Sequence, residues 1–137
     1  MQPGCALPAL ASVVTQDLID RYARVSRDRN PIHIDPMFAR QTPLGGTVAH
    51  GMLVLALISR MMSQAFGAAW YAAGGLNIRF KAPARPGDTL TASGTLVRRD
   101  ARETGDVVVF EVACHNQNRE LVITGEATVR LADANGG

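Results

Sequence analysis

Apolar side chains recur at helical spacing in two segments of the first half of the chain. Thr15 and the acidic residues after it are typical of a helix start, so the first segment predicts a helix over about 16–25. The second segment runs from about His50 to Phe66, is apolar on nearly every face and is ended by Gly67. Such a helix is buried, so we expect it at the centre of the fold.

The period of the apolar pattern changes from 3.6 to 2 after Gly75, which indicates strands. An antiparallel sheet with one exposed face needs a cover for its other face, and the long helix can supply it. We therefore predict an α+β fold, in which an antiparallel sheet wraps around one long central helix. The predicted strands are 75–80, 89–98, 106–116 and 120–131.

Length and composition are those of one globular domain: 137 residues, 47% hydrophobic and 19% charged. We expect its core over about 15–131 and a flexible tail over 132–137. A net charge of +2 is too small to indicate a nucleic-acid partner. Neither a signal peptide nor a membrane-spanning run of about 18 apolar residues is recognisable, so we expect a cytoplasmic protein without a membrane partner.

The strongest chemical signal is a carboxylate and an imidazole on either side of a proline. Asp28 and His33 are five residues apart, and on one continuous helix they would lie on different faces. Pro31 pushes Asn30 out of the helical region and removes a backbone donor, so the chain must turn here. Asn30 can brace such a turn by bonding to its own backbone. A turn can bring the two titratable side chains to one point, and we place the chemistry there.

Three segments together resemble the MaoC-like dehydratases, also called (R)-specific enoyl-CoA hydratases. They are Ser-Arg-Asp-Arg-Asn-Pro-Ile-His-Ile-Asp-Pro at 26–36, Ala-His-Gly-Met at 49–52, and Phe-Lys-Ala-Pro-Ala-Arg-Pro-Gly-Asp-Thr-Leu at 80–90. The resemblance covers roughly residues 15–131 and implies a hot-dog fold. It also implies a homodimer or a dimer of dimers, with sheets joined edge to edge and sites at the subunit interface.

The resemblance implies catalytic roles for three residues. Asp28 and His33 hold one water, and the backbone N–H of Gly51 donates to the thioester oxygen. Because Gly51 begins the long helix, its N–H is unpaired and the helix dipole adds positive charge there. We assign water activation to Asp28 and proton return to His33, although exchanged roles fit the same sequence. Asp28 would be a stronger base if its apolar neighbours Val25 and Ile32 closed over it.

Other residues are predicted to bind the substrate. Met61 and Met62, with apolar neighbours on the same helix, could line an acyl tunnel, with plain core as the alternative. Arg79 and Arg85 could meet the phosphates of coenzyme A or be solvated strand ends. His50 could instead orient its loop, and the resemblance matches Ser59 to a supporting serine. The expected substrate-binding set is Asn30, His50, Met52, Leu55, Ser59, Arg79 and Arg85.

Three functions follow from these patterns. The first is a hydro-lyase that reversibly hydrates trans-2-enoyl thioesters of coenzyme A or acyl carrier protein, with no cofactor beyond the substrate's own coenzyme A. The second is a hot-dog acyl-CoA thioesterase, and the third is a non-catalytic acyl-CoA-binding protein. The spacing of Asp28, His33, Asp35 and His50 is not a known zinc pattern, so no metal is expected.

Overall fold

The computed structural model describes residues 1–132, so most of the predicted tail lies outside the described residues. The predicted first helix is confirmed to within one residue, and the long helix begins and ends where the apolar pattern predicts. In chain order the elements are β1 (Leu10–Val13), α1 (Gln16–Ser26), α2 (Pro31–Ile34), α3 (Pro36–Arg40), α4 (Gly51–Phe66), α5 (Ala68–Ala73), β2 (Gly74–Phe80), β3 (Thr89–Asp100), β4 (Val107–His115) and β5 (Leu121–Arg130).

The five strands form one antiparallel sheet in the order β1-β3-β4-β5-β2. The long helix α4 packs on β1, β3 and β4, so the sheet encloses it as predicted. This arrangement is the α+β hot-dog fold. It leaves β1 and β2 as the two edges of the sheet. Within residues 1–132, no helix is both long enough and apolar enough to span a membrane.

One face of α4 forms the centre of the core. Its buried side chains pack against apolar residues of the sheet such as Phe110 and Leu96. Each such side chain contributes about 1.5–3 kcal/mol when fully buried. The helix lies at the centre of the fold as predicted, but one of its apolar faces is open in the single chain, where Met52 is 61% exposed and Ala56 is also exposed. The buried α4 side chains are Val54, Leu57, Ile58, Met61 and Met62.

The short helix α5 was not predicted. Gly67 ends α4 with a φ of 56°, a left-handed conformation that suits glycine, and the chain re-enters a helix at once. Trp70 on α5 is buried, and its Nε1 donates a hydrogen bond of 2.9 Å to Ser59 Oγ on α4. A Cβ at Gly74 would lie 2.4 Å from the Trp70 ring, so glycine is required where α5 passes into β2.

Candidate active site

The connection from α1 to α2 brings Asp28 towards His33, as the sequence predicts. Arg27 follows α1 in the left-handed region with a φ of 63°, which reverses the chain. Asn30 then caps α2, because its Oδ1 accepts a 3.1 Å hydrogen bond from the N–H of Ile32. Pro31 begins this one-turn helix, where its missing N–H costs nothing. His33 Nε2 therefore lies 3.9 Å from Asp28 Oδ2.

The imidazole of His33 has a fixed tautomer. Its Nδ1 lies 2.8 Å from the carbonyl oxygen of Val48. A carbonyl can only accept, so Nδ1 carries a proton, and in the neutral imidazole Nε2 presents a lone pair towards Asp28. The 3.9 Å separation of Nε2 and Oδ2 is too long for a direct hydrogen bond and suits one bridging water. The pair can therefore hold and polarise a water molecule.

The carboxylate of Asp28 is open to solvent, with 56% of the side chain exposed. Val25 and Ile32 do not close over it in the single chain. Val25 lies near the end of α1 and is 85% exposed, whereas Ile32 is half-buried. Any group that shields Asp28 from bulk water during a reaction must therefore belong to another residue.

His50 joins the pair to the start of α4. Its Nε2 lies 2.9 Å from the backbone carbonyl oxygen of Asp28 and must donate to it. Its ring stacks on His33 with centroids 3.8 Å apart and an interplanar angle of 24°, and Tyr22 contacts it edge-on at 4.7 Å. The residue is only 3% exposed. Its Nδ1 has no hydrogen-bond partner among the described residues, and an unsatisfied buried acceptor costs about 1–3 kcal/mol.

Gly51 is the first residue of α4. The first N–H groups of a helix lack intrahelical acceptors, and no described side chain caps this helix. The N–H of Gly51 is therefore suited to a developing oxyanion. Phe80 at the end of β2 lies against the glycine, so that a Cβ at Gly51 would be 3.0 Å from Phe80 Cε1. A cleft of about 320 Å³ reaches Gly51 between α4 and the segment that follows β2.

A second cleft, of about 180 Å³, runs along α4 and is mostly apolar. The residues predicted to form an acyl tunnel do not line either of these two clefts within the described chain. Met61 and Met62 are core residues, which was the alternative interpretation, and Leu55 is half-buried against the core. The second cleft is lined by Ser12, Val14, Leu18, Ala49, Leu53, Val54, Ala56, Leu57, Arg60 and Leu90.

The remaining predicted binding residues lie in different places. Ser59 Oγ accepts from Trp70, so one of its lone pairs is used within the chain. Arg85 is half-buried, and its Nη1 lies 3.7 Å from the Cβ position of Gly46. Arg79 precedes Phe80 on β2 and therefore points to the other face of the sheet. Neither arginine forms an ion pair with a described residue of this chain.

The side chains of Asp28, His33 and His50 offer ligand atoms within 4.8 Å of one another. Asp35 does not join them, because it caps α3 by accepting 3.1 Å hydrogen bonds from Met37 and Phe38 N–H groups. Two rings stacked at 24° have planes that meet far from either ring. One ion cannot lie in both ring planes at a bonding distance of about 2.0–2.1 Å. The cluster therefore fits a water molecule better than a metal.

Two residues of the site escaped the sequence analysis. Phe80 covers Gly51. Strand alternation places Leu76, Ile78 and Phe80 on one face of β2, and this pattern is the signal in the sequence that could have identified Phe80. Tyr22 contacts His50, but its helical spacing predicts only a residue on the inner face of α1. Both contacts join segments distant in sequence, so local patterns do not reveal them.

Of the two cysteines, neither is arranged as a nucleophile. Burial in β4 raises the pKa of the Cys114 thiol to about 11, so this thiol is protonated at neutral pH. A protonated buried thiol behaves as a small apolar side chain. Cys5 is exposed near the start of the chain, and its Sγ lies 3.9 Å from the carbonyl of its neighbour Ala6.

Comparison with known proteins gives a consistent set of relatives. The family model described as MaoC like domain matches residues 6–130. A mitochondrial 3-hydroxyacyl-[acyl-carrier-protein] dehydratase from Arabidopsis thaliana is 37% identical over 122 residues, 87% of this chain and 71% of that protein. An (R)-specific enoyl-CoA hydratase from Aeromonas caviae is 33% identical over 110 residues, 80% of this chain and 81% of that protein. Both relatives are hydro-lyases by name.

Among solved structures, a monoamine oxidase regulatory protein from Archaeoglobus fulgius superposes with a TM-score of 0.86 and 30% sequence identity. The superposition covers 98% of this chain and 92% of that one, so the two share nearly the whole fold.

Proposed function

Because the chain belongs to the MaoC-like dehydratase family, we propose that it hydrates trans-2-enoyl thioesters reversibly to (R)-3-hydroxyacyl thioesters. Hydratase and dehydratase relatives at 33% and 37% identity support this proposal. The observation that carries it is the water-sized separation of 3.9 Å between His33 Nε2 and Asp28 Oδ2. The imidazole that stacks on His33 belongs to His50, the residue directly before Gly51, so one side chain links the pair to the residue that supplies the oxyanion amide.

In the proposed hydration, the water between Asp28 and His33 attacks C3 of the enoyl group. Its proton passes to the Asp28 carboxylate as the C3–O bond forms. The π electrons of the C2–C3 bond move towards C2 and the thioester oxygen, where the N–H of Gly51 stabilises the charge. The proton held by Asp28 then passes to Nε2 of His33 and from there to C2, which restores both side chains, and dehydration runs through the same steps in reverse. Each such proton transfer contributes about 10²–10⁴-fold to the rate.

Either member of the pair can be the base. With Nδ1 bonded to Val48, His33 keeps a lone pair on Nε2 that can accept a proton as well as orient the water. Asp28 is our assignment for water activation because a carboxylate is ionised at neutral pH and acts as an acceptor only. The relatives carry acyl groups on acyl carrier protein in one case and on coenzyme A in the other, so both thioesters are proposed substrates.

Incubation with crotonyl-CoA tests the function and separates it from the two alternatives. We expect the enoyl absorbance to fall without release of free thiol. Release of coenzyme A thiol would instead establish a thioesterase. Binding of crotonyl-CoA without either change would establish a non-catalytic binder, an alternative favoured by the regulatory name of the superposable Archaeoglobus protein. The Asp28→Asn variant serves as the control for chemistry at this site.

We also propose that the active form is a homodimer, joined at the edge of the sheet. The edge strand β2 has one unpaired side, and its last residue, Phe80, is an exposed aromatic beside Gly51. Exposed edges and exposed apolar side chains such as Met52 favour association. A second copy placed there would cover the open sides of Asp28 and α4. Sedimentation equilibrium at micromolar concentration should give twice the 14.6 kDa chain mass, and a monomer at all concentrations would contradict the proposal.

A further inference from the structure

We propose that His50 is a positioning residue that holds Asp28 and His33 in register with the N–H of Gly51. The inference rests on the proposed hydration function. One buried side chain contacts both members of the pair: its Nε2 donates to the Asp28 carbonyl at 2.9 Å, and its ring stacks on His33 at 3.8 Å. Neither contact involves the water or the reacting atoms, so His50 acts through the other two residues.

The bond to the Asp28 carbonyl is important because this segment has few other tethers. Residues 27–30 are exposed between α1 and α2. The other described hydrogen bonds of Asp28 are local, since its N–H donates to Ser26 Oγ at 3.2 Å and its carboxylate accepts from the Asn30 N–H at 3.4 Å. The bond from His50 alone among these reaches another part of the fold. It fixes the backbone from which the carboxylate extends.

His50 also occupies the position that relates the pair to the oxyanion amide. It is the N-cap residue of α4 and directly precedes Gly51, so displacing its ring moves the pair relative to the helix start. The hydrogen bond to the Asp28 carbonyl accounts for one of the two ring nitrogens of His50. Nδ1 lies in the interior without a described partner, whereas buried polar atoms in proteins are nearly always hydrogen-bonded. An apolar side chain would avoid this penalty but would leave the Asp28 carbonyl without its donor from another part of the fold.

Three variants separate the two contacts. His50→Ala removes both the donor and the ring, His50→Gln keeps an N–H₂ donor for the Asp28 carbonyl, and His50→Phe keeps a ring for stacking. We expect His50→Ala to lower kcat for crotonyl-CoA hydration by about 10²-fold, with KM within about threefold of wild type, because a misplacement of about 1 Å costs this much. His50→Gln and His50→Phe should each exceed His50→Ala by about tenfold.

The matched control is His115→Ala. His115 is the last residue of β4 and pairs with Leu121 of β5, and we expect its replacement to leave kcat unchanged. Thermal unfolding confirms that each variant is folded. The proposal is overturned if folded His50→Ala keeps kcat within about threefold of wild type. It is equally overturned if the Gln and Phe variants are no better than Ala, since neither contact would then matter.

A second measurement does not depend on the proposed function. Wild-type protein that hydrates no enoyl thioester would reject the function, but long-range ¹⁵N–¹H NMR of the imidazoles still decides the role of His50. We expect His33 as a single Nδ1–H tautomer in wild type and in His50→Phe, since Val48 accepts from Nδ1. In His50→Ala the His33 ring loses the stacked surface that holds it against Val48, so we expect its Nδ1 hydrogen bond to be partly lost and the two tautomers to average. Unchanged His33 signals in that variant would reject the positioning role.

Discussion

Asp28→Asn should lower kcat for enoyl-CoA hydration by about 10²–10⁴-fold, and His33→Gln should do the same. The carboxamide of asparagine keeps the local acceptor for the Asn30 N–H but cannot take a proton from water. Glutamine at position 33 keeps a polar side chain but loses the Nε2 lone pair that faces Asp28. Initial rates with crotonyl-CoA, at equal concentrations of folded protein, measure both effects.

The double variant gives a sharper test. Because both side chains act on one water, removing the second should cost little once the first is gone, as happens for residues that act as a unit. Asp17→Asn is the matched control, since Asp17 is an exposed carboxylate on α1 paired with Arg21 at 3.8 Å. We expect it to retain wild-type kcat. Turnover within tenfold of wild type in either single variant would reject the assignment of the pair.

The elements that the sequence predicts correctly are those with a long periodic pattern or a strong local cap. The bounds of α4 follow from an apolar run closed by Gly67. The turn that brings Asp28 to His33 is also local, because Asn30 and Pro31 specify it within a few residues. The approach of Asp28 to His33 can therefore be predicted from the sequence alone.

The features that the sequence did not predict depend on packing between distant segments. Helix α5 has six residues, too few to show a helical period, and its place is fixed by the hydrogen bond from Trp70 to Ser59. Likewise, the contact of Phe80 with Gly51 depends on how β2 ends beside α4. Periodicity describes which faces are apolar, and it does not say whether the same chain or a second copy covers them.

This distinction applies to two apolar residues beside the proposed site. The α4 helix is apolar on nearly every face and Val25 could cover Asp28, yet Val25 and Met52 are exposed in the single chain. Both are apolar, and both lie near the open side of the proposed site. The apolar pattern therefore predicts more buried surface than a single chain provides. An edge-to-edge homodimer would bury the remaining apolar side chains.

Gly51→Ala should reduce kcat/KM for hydration by about 10²–10³-fold, as much as the loss of one oxyanion donor, because we expect its methyl group to crowd an N–H that itself stays in place. The methyl group would lie 3.0 Å from Phe80 Cε1 and 3.1 Å from Phe80 Cζ. The fold should tolerate the change, because alanine is the better helix former by about 1 kcal/mol and the Phe80 ring is exposed enough to move. Steady-state kinetics and thermal unfolding measure the two effects separately.

The variant Gly51→Ala combined with Phe80→Ala distinguishes between two causes of that loss. If the methyl group only displaces the Phe80 ring, removing the ring should restore the rate to that of Phe80→Ala alone. If the methyl group blocks the oxyanion position itself, the double variant should stay as slow as Gly51→Ala. We expect the second result, because the new methyl group belongs to the same residue as the N–H and stays beside it when the ring is removed. Recovery of the rate in the double variant would show that the methyl group acts only through the Phe80 ring and would reject crowding of the N–H at position 51.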